Sequence, residues 1–406
     1  MTTDKKDRIP NAPDKGLIPK LRFPEFKEGW KSATIGLCCS PLEYGMNAAA
    51  TEYDGANKYI RITDIDENTS RYKYDDIVSP SGELEDRYKV RPNDILFART
   101  GASTGKTYLY NDNDGTLYFA GFLIRGNIKP HFNSRFVFYQ TQLKRYWKWV
   151  AIMSARSGQP GINSQEYESY ELFLPSRTEQ DKIADLLELI DQRISTQSRA
   201  IEKLQSLMSG ITQKVSKHPS IQKTMLSDVL MEQNEKNQKL LPVYSVSVSE
   251  GVVNQMEYLG RSFAAKDTSN YNVVHFGDIV YTKSPTGDFP FGIVKRSNIA
   301  DDVAVSPLYG VYQPSCDDIG VYLHYYFCSS LNAKNYLHKL IQKGAKNTIN
   351  ITNQRFLENE VPIPEPNTLR KYVGLMVSLS KKLEKEKKLL ALLQTQKQFL
   401  LQEMFI

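Results

Sequence analysis

The stretch Gly161–Asp191 reads GINSQEYESYELFLPSRTEQDKIADLLELID, and the stretch Asn350–Ser380 reads NITNQRFLENEVPIPEPNTLRKYVGLMVSLS. Each runs from an Ile-Asn-Ser or Ile-Thr-Asn start, through Gln and an aromatic residue, to an apolar residue and a proline. Each then opens a long helical pattern. Ile162 and Ile351, Gln165 and Gln354, and Pro175 and Pro364 are all 189 positions apart. A junction written twice predicts a duplicated architecture.

The repeat extends upstream. KVRPNDILFARTGASTGK from Lys89 resembles VVHFGDIVYTKSPTGDFPFG from Val273, with Asp94 matching Asp278 at a spacing of 184. Short β-like runs (KYIRITDI, DILFAR, TLYFAGFLI, YELFLP) lie between turn signals in the first copy, with a helix predicted over Ser134–Trp149. The second copy has VVHFGDIVYTK, DVAVSPLYGVY, a helix predicted around Val321–Ile341, and NEVPIP. The change of spacing between copies implies loop insertions within a shared fold. The expected fold class is α+β: two similar globular α/β domains, each followed by a helix, related by an internal pseudo-twofold repeat. The expected boundaries are a tail over 1–20, a domain over 21–176, a helix over 177–217, a domain over 218–365 and a helix over 366–406.

The helical segments carry the clearest pattern. Ile183, Leu187, Ile190, Ile194, Gln197, Ile201, Leu204, Met208, Ile211 and Val215 alternate spacings of four and three, an a/d seam with one polar interruption. Adding 189 gives Tyr372, Met376, Leu379, Leu383, Glu386, Leu390, Leu393, Lys397, Leu400 and Met404. The polar interruption recurs in phase. Lys397 is an extra break, for which Phe399 could compensate. Because the first helix leads from one domain to the other and the second leaves the other, pairing makes them antiparallel, with the domains at opposite ends. Helices of 39 residues would be about 58 Å long. Gln197 and Glu386 would then face each other near the centre and fix the register. The alternative is two amphipathic helices, each packed on its own domain.

The chain has 406 residues, 40% hydrophobic and 24% charged, with a net charge of +6. Those values fit a globular protein of two or three domains with a mild preference for polyanions. The charge is unevenly spread: 24 basic against 22 acidic residues over 1–176, 13 against 15 over 218–365, and 8 against 3 over 366–406. Cys38, Cys39, Cys316 and Cys328 form no C-x-x-C pair, which implies reduced thiols in a cytoplasmic protein and neither a disulfide frame nor a zinc site. The charged, Pro-rich N-terminus lacks an apolar signal core, and no run of 18 apolar residues occurs.

Catalytic signatures are missing. GASTGKT (Gly101–Thr107) has three residues between its glycines where a phosphate loop needs four. No dinucleotide fingerprint, methylase N-P-P-Y or D-P-P-Y, nuclease-like pattern or nucleophile elbow is present. Two similar domains on a rigid spacer suggest a ruler that reads two places on a long ligand, and DNA is the expected one. The candidate contacts lie on two pairs of loops. The first pair offers Arg99, Thr100, Ser103, Thr104 and Lys106 in one copy and Lys283, Ser284 and Thr286 in the other. The second pair offers Arg156, Ser157, Gln159 and Asn163, and then Lys343, Lys346, Asn347 and Asn350. Glycines allow close backbone approach, Arg and Lys suit phosphate or guanine, and Asn and Gln suit adenine. A polar surface loop would have the same composition. Trp147 and Trp149 read as core or edge anchors rather than base stackers.

LRFPEF (Leu21–Phe26), DILFARTGASTGKTYLY, the INSQ…FLPSRTEQDKIADLLELIDQRI junction and the whole-chain duplication resemble the specificity subunit of bacterial type I restriction–modification systems. The second copy departs at Thr368-Leu369, where the first has Glu179-Gln180. The resemblance implies two target recognition domains, each reading one half of a bipartite, asymmetric DNA sequence, with the helices setting the gap. It implies two methyltransferase subunits around the helices and two restriction subunits completing the enzyme. It also places S-adenosylmethionine in the former and ATP and Mg²⁺ in the latter, so this chain has no cofactor and no catalysis of its own. Apolar positions left over outside the seam (Leu186, Leu189, Leu207, Leu375, Leu389, Leu392) suggest a further partner surface for the methyltransferase subunits. A two-headed coiled-coil scaffold, or an enzyme using GASTGKT, are the competing readings. A scaffold would show no salt-dependent DNA binding, and a nucleotide enzyme would lose its ligand on Lys106→Ala.

Overall fold

The computed structural model describes residues 17–155, 159–218, 221–261, 264–343 and 349–406. The chain divides into two compact units, the first running to Thr196 and including Leu390–Ile406, the second spanning Gln197–Leu389. Each long helix is therefore shared: Arg177–Ser216 and Pro366–Glu403 both contribute to both units.

The first unit is built on four antiparallel strands side by side in the order Glu43–Tyr44, Leu123–Asn127, Asp94–Ala98, Thr107–Leu109. The second has Leu230–Glu232, Gly310–Pro314, Ile279–Thr282 and Ile293–Arg296 in the corresponding order. Strands Asp94–Ala98 and Ile279–Thr282 are buried along their whole length, with apolar runs at Ile95–Ala98 and Ile279–Tyr281, because both faces are covered. Ile95 and Phe97 enter the core that contains the helices, whereas Leu96 and Ala98 enter a smaller cluster with Phe119 and Tyr108. Ile279 and Tyr281 divide from Val280 in the same way. This is the period-two alternation of a strand buried on both sides.

The entry to each central strand is also duplicated. The Asp94 carboxylate accepts the Arg91 N–H at 2.7 Å, and the Asp278 carboxylate accepts the His275 N–H at 2.8 Å. The residue before each aspartate has a left-handed backbone, with φ of 70° at Asn93 and 96° at Gly277. Asn and Gly are the residues that tolerate that conformation.

The repeated junction has a structural meaning residue by residue. Ile162 and Ile351 are buried, and so are Tyr167 and Phe356. Asn163 caps the short helix Ser164–Glu168 by accepting the Glu166 N–H at 2.9 Å, and Thr352 caps Asn353–Phe356 by accepting the Arg355 N–H at 3.2 Å. Edge strands follow, Glu171–Leu174 paired with Lys31–Thr34 and Glu360–Ile363 paired with Gln222–Met225. Pro175 and Pro364 lie directly after these strands, and the long helices begin two residues later.

Several expectations are corrected. The helix expected over Ser134–Trp149 is two helices, Ser134–Gln140 and Lys144–Met153. The break falls at Thr141, whose buried hydroxyl donates to the Phe138 carbonyl and meets Thr107 Oγ1 at 2.7 Å. The second copy breaks likewise into Asp317–Cys328 and Ser330–His338, with Ser329 capping the latter. Residues 17–20, placed in the tail by sequence, belong to the first unit: the Leu17 carbonyl accepts the Trp30 N–H at 2.9 Å. Lys397 does not break the seam. It is 8% exposed and pairs with Asp191 at 2.8 Å, while Phe399 faces outward.

On the seam, Ile183, Leu187 and Ile190 are buried with Leu400, Leu401 and Met404 in the first unit, and Ile194, Leu390 and Leu393 are half-buried. In the second unit Ile201, Met208, Tyr372 and Met376 are buried, and Leu204, Leu379 and Leu383 are half-buried. Gln197 donates to Glu386, and Thr212 and Tyr372 share a hydrogen bond of 2.8 Å. Rising numbers on one helix meet falling numbers on the other, so the two segments of this unit are antiparallel. No helix among the described residues is long and apolar enough to cross a membrane.

Candidate nucleic-acid interface

Arg99 is the first residue after strand Asp94–Ala98, and Lys283 is the first after Ile279–Thr282. They keep the spacing of 184 that separates Asp94 from Asp278. The duplicated strand therefore ends, in both units, on a cation at one position.

In the first unit this position joins the two nominated loops. The Arg99 N–H donates to the Phe122 carbonyl at 3.0 Å, and its carbonyl accepts the Ile162 N–H at 2.9 Å. Thr100 bridges Gly161, and the Gly101 N–H donates to the Pro160 carbonyl at 2.9 Å. Gly101 has a φ of 69°, so the turn after Thr100 needs glycine. Gln159 is exposed beside this turn.

The Arg99 guanidinium lies 4.8 Å from the centre of the Tyr44 ring, a cation–π contact. Its buried Nε has no hydrogen-bond partner among the described residues, and no described carboxylate pairs with it. Burial raises the Tyr44 phenol's pKa, but the Ser164 N–H and the Arg99 charge outweigh this and leave it below the ordinary value. Tyr44 is 42% exposed and Phe122 60% exposed. A guanidinium without a described carboxylate partner, set against the accessible Tyr44 ring, can bind a phosphate or a base edge.

Other nominated side chains in this unit are paired or buried. Lys106 pairs with Glu67 at 2.6 Å. The Thr104 hydroxyl donates to the Gly101 carbonyl at 2.8 Å, and Ser103 and Thr104 are both buried. Asn163 is the helix cap described above. These four shape the loop, and among its described residues Arg99 is the cation left without a carboxylate partner. Arg156 and Ser157 lie outside the described residues, as do Lys346 and Asn347.

In the second unit Lys283 is half-buried, and burial lowers its pKa against the opposing pull of Glu232. No described carboxylate lies within ion-pair distance of it. Ser284 and Thr286 are exposed, and the Thr286 backbone pairs with Phe289 to close the turn. Lys343 and Asn350 belong to two short paired strands, Gln342–Lys343 and Ile349–Asn350.

Sequence reasoning missed Tyr44 and Phe122. Phe122 sits inside TLYFAGFLI, which reads as one apolar strand. The signal was Gly121, where the chain turns between Leu117–Phe119 and Leu123–Asn127 and lifts the ring out of the core.

Residues 45–206 match the family described as the type I restriction modification DNA specificity domain. The fold is similar to the type I restriction–modification S subunit of M. genitalium, at 16% identity and a TM-score of 0.61, covering 96% of this chain and 99% of that one. The HsdS subunit of Thermoanaerobacter tengcongensis matches at 15% identity and a TM-score of 0.39, covering 95% and 98%.

Proposed function

We propose, for a chain whose residues 45–206 match the type I restriction modification DNA specificity domain, that each of its two units reads one half of a bipartite, asymmetric DNA site. Residues 21–176 and 218–365 are the two target recognition domains. Helices 177–217 and 366–406 form an antiparallel coiled coil that sets the gap between half-sites. The observation that carries this reading is the recurrence, in the second unit, of the first unit's sheet order with an unpaired cation at the same strand end, Arg99 in one and Lys283 in the other.

The two recognition domains are close to neutral, so phosphate grip is shared with partners. Two methyltransferase subunits dock on the helices, where Leu189, Leu207, Leu375, Leu389 and Leu392 are exposed. Two restriction subunits complete the assembly. S-adenosylmethionine belongs to the methyltransferase subunits, and ATP and Mg²⁺ to the restriction subunits. This chain selects the sequence and does no chemistry of its own.

Co-expression with a cognate methyltransferase subunit, followed by genome-wide mapping of methylated bases, tests the proposal. One bipartite motif is the expected result. Methylation without a motif, or independent of this chain, overturns it. Exchanging residues 218–365 for the corresponding domain of another specificity subunit should change one half of the motif only.

A further inference from the structure

A cavity of about 900 Å³ in the second unit is lined by strand Ile293–Arg296, helix Asp317–Cys328 and segments of both long helices. Cys328 opens onto it and is solvent-exposed. His324 and Cys328 are one helical turn apart on a shared face, with Nε2 and Sγ separated by 3.8 Å. From the facing strand, Lys295 places its ammonium 3.3 Å from the same sulfur.

Lys295 is 4% exposed, and among the described residues no carboxylate lies within ion-pair distance of it. The other charges around the cavity are largely committed elsewhere. Glu250 pairs with Lys387, Glu384 with Lys388, and Arg296 with Asp317. Lys217, just past the end of the first long helix, and Tyr325 beside His324 complete the titratable lining. A buried ammonium needs an anion, and the sulfur of Cys328 is the group placed to supply it. Although the residue is exposed, the groups packed around its sulfur desolvate the thiolate and by themselves would push the thiol up, but His324 and Lys295 outweigh this and bring it down to about 6. The Cys38 and Cys39 thiols differ: both are buried, and burial pushes Cys38 up to about 12.

We propose that Cys328 is a nucleophilic thiol site that exchanges with a small, carboxylate-bearing disulfide and holds the product as a mixed disulfide in this cavity. The Cys328 thiolate attacks one sulfur of the disulfide. A new S–S bond forms to Sγ, the old S–S bond breaks, and the departing thiolate takes a proton from solvent. No further oxidant is needed. Exchange removes the negative charge beside Lys295, so an adduct with its own carboxylate restores a partner for the buried ammonium. That selects an anionic disulfide of peptide size over a neutral one, and the cavity has room for it.

The test uses the full chain carrying Cys316→Ser, which places a favoured N-cap residue at the start of helix Asp317–Cys328 and leaves Cys328 as the accessible thiol. Oxidised glutathione is the probe, and mass spectrometry follows adduct formation between pH 5 and 9. One glutathione per chain, on Cys328, is expected, with a rate that levels off by about pH 7, since a thiol of depressed pKa is ionised there. At pH 6 the rate should exceed that of an ordinary thiol peptide about tenfold, the gain in ionised fraction outweighing the lower nucleophilicity of a more acidic thiolate. His324→Gln and Lys295→Met should each move the rise to higher pH. Cystamine, a cationic disulfide, should form less adduct at equilibrium than glutathione. A chain that takes no adduct at Cys328, or whose rate climbs through pH 8 without levelling, overturns the proposal whether or not either variant folds.

Discussion

Gln197 donates its side-chain amide to both the backbone carbonyl of Glu386, at 3.0 Å, and the carboxylate of the same residue, at 2.5 Å. The pair is polar in a seam whose neighbouring turns present Ile201 and Leu383. A lone polar pair in an apolar seam favours one register over others at some cost in stability. Replacing Gln197 by Leu leaves the half-buried Glu386 carboxylate against a methyl group and should cost about 1–3 kcal/mol. The double variant Gln197→Leu, Glu386→Leu should return to within about 1 kcal/mol of the parent, because an apolar pair of suitable shape is nearly neutral. Urea denaturation of the four proteins measures the coupling, and additive losses would show that the two side chains do not depend on each other.

A second buried pair ties the start of the chain to the junction. Arg22 donates to both carboxylate oxygens of Glu179, at 2.7 and 2.8 Å, and Trp30 Nε1 donates to the same carboxylate at 3.3 Å. Glu179 is 1% exposed. Arg22→Ala therefore strands a buried carboxylate and should destabilise the first unit by about 3–5 kcal/mol. Thr368→Ala, at the matching exposed position of the second copy, should change stability by less than about 0.5 kcal/mol. Thermal denaturation of the two variants distinguishes the sites.

The same pair shows how far the sequence could be read. The duplication and the two long helices are legible because they are periodic and local: Ile162, Tyr167 and Pro175 recur at Ile351, Phe356 and Pro364. The Arg22–Glu179 link is not, since its members are 157 positions apart and no period relates them. It explains why the second copy has Thr368-Leu369. There the chain before strand Gln222–Met225 is the long helix rather than a segment like LRFPEF, and Leu369 is buried among apolar residues. Lys397 was misread for a related reason: a lysine on a seam looks like a break until Asp191 is known to lie opposite. The loop residues were hardest, because an asparagine that caps a backbone and one that reads a base have the same letter.

The two strand-entry aspartates set a pH dependence. Burial raises both Asp94 and Asp278 above the ordinary 3.8, against the hydrogen bonds each accepts. The folded state thus holds these protons more tightly than the unfolded state. Their contribution to stability is largest below pH 3.8 and declines as pH rises through the higher folded values. Asn has no proton to lose, so the double variant Asp94→Asn, Asp278→Asn lacks this decline. In urea titrations at successive pH values from 4 to 7, its stability relative to the parent should rise and then level off once both folded carboxyls are ionised. A constant difference across that range would mean that neither carboxyl titrates with folding.

Asn163 separates a cap from a reader. Its side chain accepts the Glu166 N–H, and the Glu166 carboxylate accepts the Asn163 N–H at 2.7 Å, which closes a capping box. Asn163→Ala should cost about 1 kcal/mol of stability, and Asn163→Asp should recover most of it. In the assembled methyltransferase both variants should methylate the parent motif. A change in the motif with either variant would place Asn163 on the DNA after all.

Arg99 and Lys283 give the sharpest test of division of labour. Both end the duplicated central strand, and neither is held by a described carboxylate. If each contacts its own half-site, Arg99→Ala should weaken binding of the assembled methyltransferase to DNA by about 1–3 kcal/mol, roughly a five- to hundred-fold rise in Kd. Lys283→Ala should lie nearer the lower end, because an ammonium meets phosphate as a point charge without a bidentate fork. The informative readout is which bases lose discrimination in a library with each half-site randomised in turn. Arg99→Ala should relax one half and leave the other intact, and Lys283→Ala should do the converse or lower affinity uniformly for that half. Equal relaxation of both halves by either variant would contradict the assignment of one unit to one half-site. The opposite ionic response is also expected: each substitution should flatten the dependence of log Kd on log salt by about one unit if the lost contact is to phosphate, and by less if it is to a base.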